Sequence, residues 1–125
     1  MELIKTSNAP EAIGSYSQAV VVNGMVYTSG QIALLPNGSD ELLKDGVAPQ
    51  VKQVLENLKV ILEASGSSLE KVVKTTIFLT DMDHFTTVNE IYAELLGSHK
   101  PARSTVSVKA LPKNALVEID AIALV

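Results

Sequence analysis

The stretch Val72-Val73-Lys74-Thr75-Thr76-Ile77-Phe78-Leu79-Thr80 decides how this chain is read. It is β-branched or aromatic at most positions, with too few polar groups for a solvated face, so it reads as a central strand. On its N-terminal side Val47, Val51, Val54, Leu55, Leu58, Ile61 and Leu62 recur at helical spacing, and Gly66 supplies the stop. On its C-terminal side a second helix is predicted to begin near Asp83, its cap. It carries Phe85, Val88, Tyr92, Leu95 and Leu96 on one stripe and ends at Gly97. Further out, Gln18 to Ile32 reads as a hairpin turning at Asn23-Gly24, and Pro36-Asn37-Gly38 marks a loop. Ser104 to Ala110 and Ala115 to Val125 read as two more strands around the turn Leu111-Pro112-Lys113-Asn114.

This order predicts an α+β sandwich with two helices on one face of a mixed β-sheet of about five or six strands. The last strand carries large apolar groups on both faces: Leu116, Ile122 and Leu124 at even positions, Val117, Ile119 and Val125 at odd ones. Two helices cover one face only, so the other is expected to pack against another copy of the chain. A small β-barrel, or a strand with partly exposed ends, is the alternative.

With 125 residues the chain is expected to be one domain, 1–125, able to bury roughly two-thirds of its unfolded surface. It has no cysteine, which excludes thiol nucleophiles, Cys-ligated metals and disulfides. Its net charge is −4 without a basic run, so the footprint of a duplex-DNA binder is missing. No leader is read at the N-terminus, and the longest apolar runs are too short to cross a bilayer, so a cytoplasmic protein free of membrane is expected. Arg103 is the only arginine beside nine lysines.

Pairing the last two strands as a hairpin, with Ala110 opposite Ala115, sets Arg103, Thr105, Ser107 and Lys109 on the same face as Glu118 and Asp120. One guanidinium and two carboxylates then form either a site for a small anionic substrate or a surface salt bridge. His84 and His99 have no metal-ligand spacing and read as helix-end residues. Glycine-rich phosphate loops and the Gly-x-Ser-x-Gly elbow are missing. Two loops, Ala12 to Gln18 and Thr28 to Ile32, set Tyr16, Ser29 and Gly30 among small residues that let a ligand approach the backbone, although ordinary turn chemistry explains them as well.

Seven stretches in order carry a family resemblance: Ala9-Pro10 with Ala12-Ile13-Gly14 and Tyr16-Ser17-Gln18; Thr28-Ser29-Gly30-Gln31-Ile32; Val73-Lys74-Thr75-Thr76 with Phe78; Phe85-Thr86-Thr87-Val88-Asn89; Pro101-Ala102-Arg103-Ser104; Leu111-Pro112-Lys113; and Glu118-Ile119-Asp120-Ala121-Ile122-Ala123. The chain resembles the RidA (YjgF) family of reactive-intermediate deaminases. The resemblance implies a chorismate-mutase-like homotrimer with sites between subunits, hydrolysing 2-imino acids and their 2-enamino tautomers to 2-oxo acids and ammonia. It implies Arg103, Glu118 and Tyr16 as catalytic residues and Ser29, Gly30, Asn89 and Thr105 as substrate-binding ones. Neither metal nor cofactor is implied, because a protonated imine is already electrophilic enough for water.

Three positions depart from the family pattern: Ser15 where many members have Pro, Thr105 where many have Cys, and Lys100 where an aromatic or apolar residue is common. Two other functions compete. One is a non-catalytic sensor that holds a 2-oxo acid on Arg103. The other is an RNA-directed or protein-interaction role, against which the acidic balance and the five aromatic residues argue.

Overall fold

Val72–Leu79 forms a strand with a hydrogen-bonded neighbour on each side, and the rest of the chain is arranged about it. The computed structural model describes every residue except Asn37 and Ser39, so Asn37 of the predicted Pro36-Asn37-Gly38 loop lies outside the described residues. In chain order the elements are β1 (Glu2–Ile4), β2 (Ala19–Val22), β3 (Met25–Thr28), α1 (Val47–Ala64), β4 (Val72–Leu79), α2 (Phe85–Leu96), β5 (Ala102–Ser107) and β6 (Val117–Leu124). They build a mixed six-stranded sheet in the order β1-β2-β3-β6-β4-β5, and the α+β expectation of two helices on one face holds.

Local chemistry sets the boundaries. Asn23 and Gly24 both take positive φ, as the tight β2–β3 hairpin requires. Helix α1 buries Val51, Val54, Leu55, Leu58, Ile61 and Leu62 along one stripe. It closes at Gly66 (φ 83°), where the Gly66 N–H donates to Glu63 O and the Ser67 N–H to Leu62 O. The second helix starts later than predicted. A single 3₁₀ turn, Met82–His84, precedes it, and the capping carboxylate is Asp81, which accepts from the Asp83 N–H at 2.9 Å, rather than Asp83 itself. On α2, Val88, Tyr92 and Leu96 are buried, whereas Leu95 turns to solvent.

The predicted pairing of the last two strands is wrong. β5 lies parallel to β4 at the sheet edge, with Thr75 beside Arg103 and Ile77 beside Thr105, and β6 pairs antiparallel to the other side of β4. The 12-residue α2 provides the crossover that parallel neighbours need. β4 thereby has a hydrogen-bonded partner on each side. The connection runs past the end of β4, where the Val108 N–H donates to Leu79 O and the Thr80 N–H to Leu116 O.

The core lies between the helices and the inward side chains of Val26, Thr75, Ile77, Leu79, Val117, Ile119, Ala121 and Ala123. The opposite face is open and exposes Leu3, Tyr27, Val106 and Leu124, with Glu118, Asp120 and Ile122 half-buried. No described helix is long and apolar enough to cross a membrane.

Candidate active site

The register of β4 separates the predicted cluster into two groups. Arg103 and Thr105 follow Thr75 and Ile77 onto the helix-covered face, while Glu118 and Asp120 follow Phe78 and Thr76 onto the open face. β5 and β6 lie two strand spacings apart, roughly 10 Å. The expected single-face cluster is therefore corrected: one chain does not bring Arg103 and Glu118 to the same small molecule.

The first group is built on α2 and the edge strand. The Arg103 guanidinium stacks on Tyr92 (5.1 Å to the ring centroid) and Phe85 (5.6 Å) and donates to Asn89 Oδ1 at 2.8 Å. The Tyr92 hydroxyl is in turn bonded to Thr75 at 2.7 Å, which holds the ring under the cation. Among the described residues no carboxylate pairs with Arg103. A planar fork is thus clamped by two rings and one amide, with most of its donors unspent. Beside it the Thr105 hydroxyl oxygen is buried without a hydrogen-bond partner. This group borders a cavity of about 420 Å³ that reaches to Pro101.

The second group surrounds Glu118. Gln31 bridges Ile119 through two backbone hydrogen bonds of 2.9 and 3.1 Å, which lays Gly30 against the Glu118 side chain. A Cβ at position 30 would collide with that carboxylate and displace it, so glycine here lets the side chain lie against the backbone and is not needed for φ. Tyr16 borders the same cavity of about 300 Å³, together with Ile13, Ile32, Pro112 and Lys113. Its phenol oxygen accepts from the Ile13 N–H at 3.3 Å, closing its own turn and leaving the O–H free to donate. Burial, and then the negative charge of Asp120, raise the Glu118 carboxyl above its ordinary range. Burial also raises Asp120, opposed by hydrogen bonds to Thr76 and the charge of Lys74. Ser29 stands apart, because its hydroxyl donates to the Ser17 carbonyl and ties the two loops together.

Several supporting residues escaped the sequence reading. Asn57 of α1 donates to the carbonyls of Ile32 (3.3 Å) and Leu34 (2.9 Å), fixing one cavity wall. Gln50 spans Leu43 and Leu116, and Gln18 pins Thr6 and Pro10. Their signal was available: Gln50 and Asn57 are polar interruptions one heptad apart on an otherwise apolar stripe, and a buried amide must find partners. The histidines are end residues as expected, with His99 Nε2 2.7 Å from Val72 O. No group of ligands that could hold a metal occurs among the described residues.

The family profile described as Endoribonuclease L-PSP matches residues 6–125. The chain is 50% identical to 2-iminobutanoate/2-iminopropanoate deaminase of Rattus norvegicus over 123 residues, covering 98% of this chain and 89% of that protein. It belongs to the RidA (YjgF) family. A RutC family protein of Pyrococcus horikoshii is 49% identical, with 98% and 96% covered. The crystal structure of RidA from an Antarctic Psychrobacter superimposes with a TM-score of 0.95 at 45% identity, each chain fully covered. Membership in RidA places this chain among reactive-intermediate deaminases and gives the two residue groups a common context.

The contact of Gly30 with Glu118 is directly testable. In Gly30→Ala the methyl group pushes the carboxylate aside while the backbone stays relaxed. Turnover is expected to fall roughly 10²-fold, as for a catalytic group misplaced by about 1 Å, with little change in melting temperature. Wild-type rates in steady-state kinetics would show that the carboxylate needs no such seat.

Proposed function

We propose that the protein hydrolyses 2-imino acids of the 2-iminobutanoate and 2-iminopropanoate type, and their 2-enamino tautomers, to 2-oxo acids and ammonia, in sites formed between copies of a homotrimer. The observation that carries this reading is the separation of a clamped, unpaired arginine from a seated, raised carboxyl on opposite sheet faces. Each group is half of an imine-hydrolysing site, and each is incomplete until a second copy supplies the other. The apolar open face and the unpaired outer edge of β5 offer the surfaces for such an assembly.

In the joined site Arg103 takes the substrate carboxylate in a bidentate contact, with Asn89 holding the guanidinium. The Thr105 hydroxyl supplies a further polar contact. Glu118 removes a proton from water as the water oxygen bonds to the protonated imine carbon, and the C=N electron pair moves to nitrogen. Tyr16 serves the proton traffic at that nitrogen. The carbinolamine then collapses, expelling ammonia and leaving the 2-oxo acid. A raised carboxyl is a stronger base than an ordinary one, which suits this role at neutral pH.

Coupling the protein to a threonine dehydratase and following 2-oxobutanoate tests the reaction. Acceleration over buffer is expected. Binding of 2-oxobutanoate without acceleration would instead make this a sensor of 2-oxo acids, and retention of labelled RNA would favour a nucleic-acid role. Sharing between copies has its own test. Arg103→Ala and Glu118→Ala chains, each inactive alone, are mixed by unfolding and refolding together. Random assembly restores roughly one site in four, so about a quarter of wild-type activity is expected. No recovery would place both residues in sites of a single chain.

A further inference from the structure

The cavity beside Arg103 is electropositive in a protein whose net charge is −4. His99, Lys100 and Arg103 line it, no Asp or Glu does, and among the described residues neither Lys100 nor Arg103 has a carboxylate partner. Glu70, which interacts electrostatically with His99, faces the groove between α1 and α2 instead. Basic residues after a helix ordinarily answer its C-terminal carbonyls. Here the local backbone supplies donors without Lys100: the Gly97 N–H donates to Ala93 O at 3.0 Å and the His99 N–H to Leu96 O at 3.2 Å. Pro101 keeps the residue before it extended, so Lys100 and Arg103 leave the chain about 10 Å apart at their Cα atoms and border one cavity. Two unspent cations lining one cavity suit a ligand with an acid at each end.

We infer that this cavity selects small dicarboxylates, 2-oxo or 2-imino acids whose first carboxylate sits on the Arg103 fork and whose distal carboxylate meets Lys100. This rests on the proposed function only in assigning the first carboxylate to Arg103. It narrows the substrate class to imines bearing a second acid, and Lys100 is the residue that sets the preference.

Calorimetry with 2-oxoglutarate and 2-oxobutanoate tests it on the wild type, Lys100→Gln and Arg103→Gln. The wild type should bind 2-oxoglutarate roughly tenfold more tightly than 2-oxobutanoate, as one charge-assisted contact allows. Lys100→Gln should bring that ratio to about one, and Arg103→Gln should lose both ligands. Equal affinities in the wild type, a ratio that survives Lys100→Gln, or competition by inorganic phosphate as strong as that of 2-oxoglutarate would overturn the inference. The dehydratase-coupled rate, measured on the same preparations, keeps the two claims apart. Lost turnover with an intact dicarboxylate preference sinks the deaminase reading alone, and turnover without preference sinks this one alone.

Discussion

Arg103→Lys is expected to lower kcat/KM for 2-iminobutanoate, the proposed substrate, by roughly 10²- to 10³-fold while leaving the fold intact. The charge is retained, so long-range attraction of an anionic substrate is little changed. What is lost is shape. The guanidinium lies over the rings of Tyr92 and Phe85 and is held by the 2.8 Å bond to Asn89. An ammonium has no plane to stack and no second parallel donor for a carboxylate. The substrate then swings about a single contact, and the imine carbon leaves the line of attack of the water. Because Arg103 is exposed at a sheet edge and carries no ion pair among the described residues, its replacement removes little folding energy. Melting temperature should therefore stay within a few degrees of wild type. Asn89→Ala should give a smaller loss of the same kind, because the ring stack remains. Near wild-type kcat/KM for a folded Arg103→Lys protein would show that the guanidinium is not the clamp.

What could be read from the sequence follows from what periodicity encodes. The apolar stripe of α1, the Asn23-Gly24 hairpin and the β-branched run of β4 are local patterns, and the helix, the turn and the central strand appear as read. β6 is apolar on both faces in sequence, and only the structure shows that Val117, Ile119, Ala121 and Ala123 face the helices. Nor does its pattern say which strand lies beside it. β5 and β6 are consecutive in the chain, and adjacency is the usual guess, but β4 is a better neighbour for both. That error moved Arg103 to the wrong face of the sheet. The convergence of Tyr16, Gly30 and Glu118 had no spacing signal at all, because it depends on the Gln31–Ile119 bridge between segments far apart in sequence. Residue pattern singled out the two loops and Glu118 separately, and only the family resemblance joined them in one site.

Glu118→Gln should abolish nearly all turnover and at the same time stabilise the protein at alkaline pH. The amide keeps the size of the side chain and its seat on Gly30 but takes no proton from water, so kcat should fall by roughly 10²- to 10⁴-fold, the range for removal of a general base. The stability effect follows from the raised carboxyl, whose first cause is burial and second the Asp120 charge. With a folded-state pKa above the unfolded one, the native state binds more protons between the two values. Stability from this group is then fully present below the unfolded pKa and is lost as pH rises through the raised folded value. Once pH has risen through the raised value the wild type holds an ionised carboxylate where the protein favours a neutral group, and glutamine removes that penalty. Melting temperatures should therefore be higher for the variant at alkaline pH and converge with wild type below the ordinary carboxylate range, while wild-type kcat/KM should fall on the acid side as Glu118 takes up its proton. In the proposed homotrimer a second copy over the open face would deepen the burial and enlarge both effects. A Glu118→Gln protein that is less stable than wild type at alkaline pH, or an acid limb lying in the ordinary carboxylate range, would mean that Glu118 is not held as a strained base but simply anchors the strand.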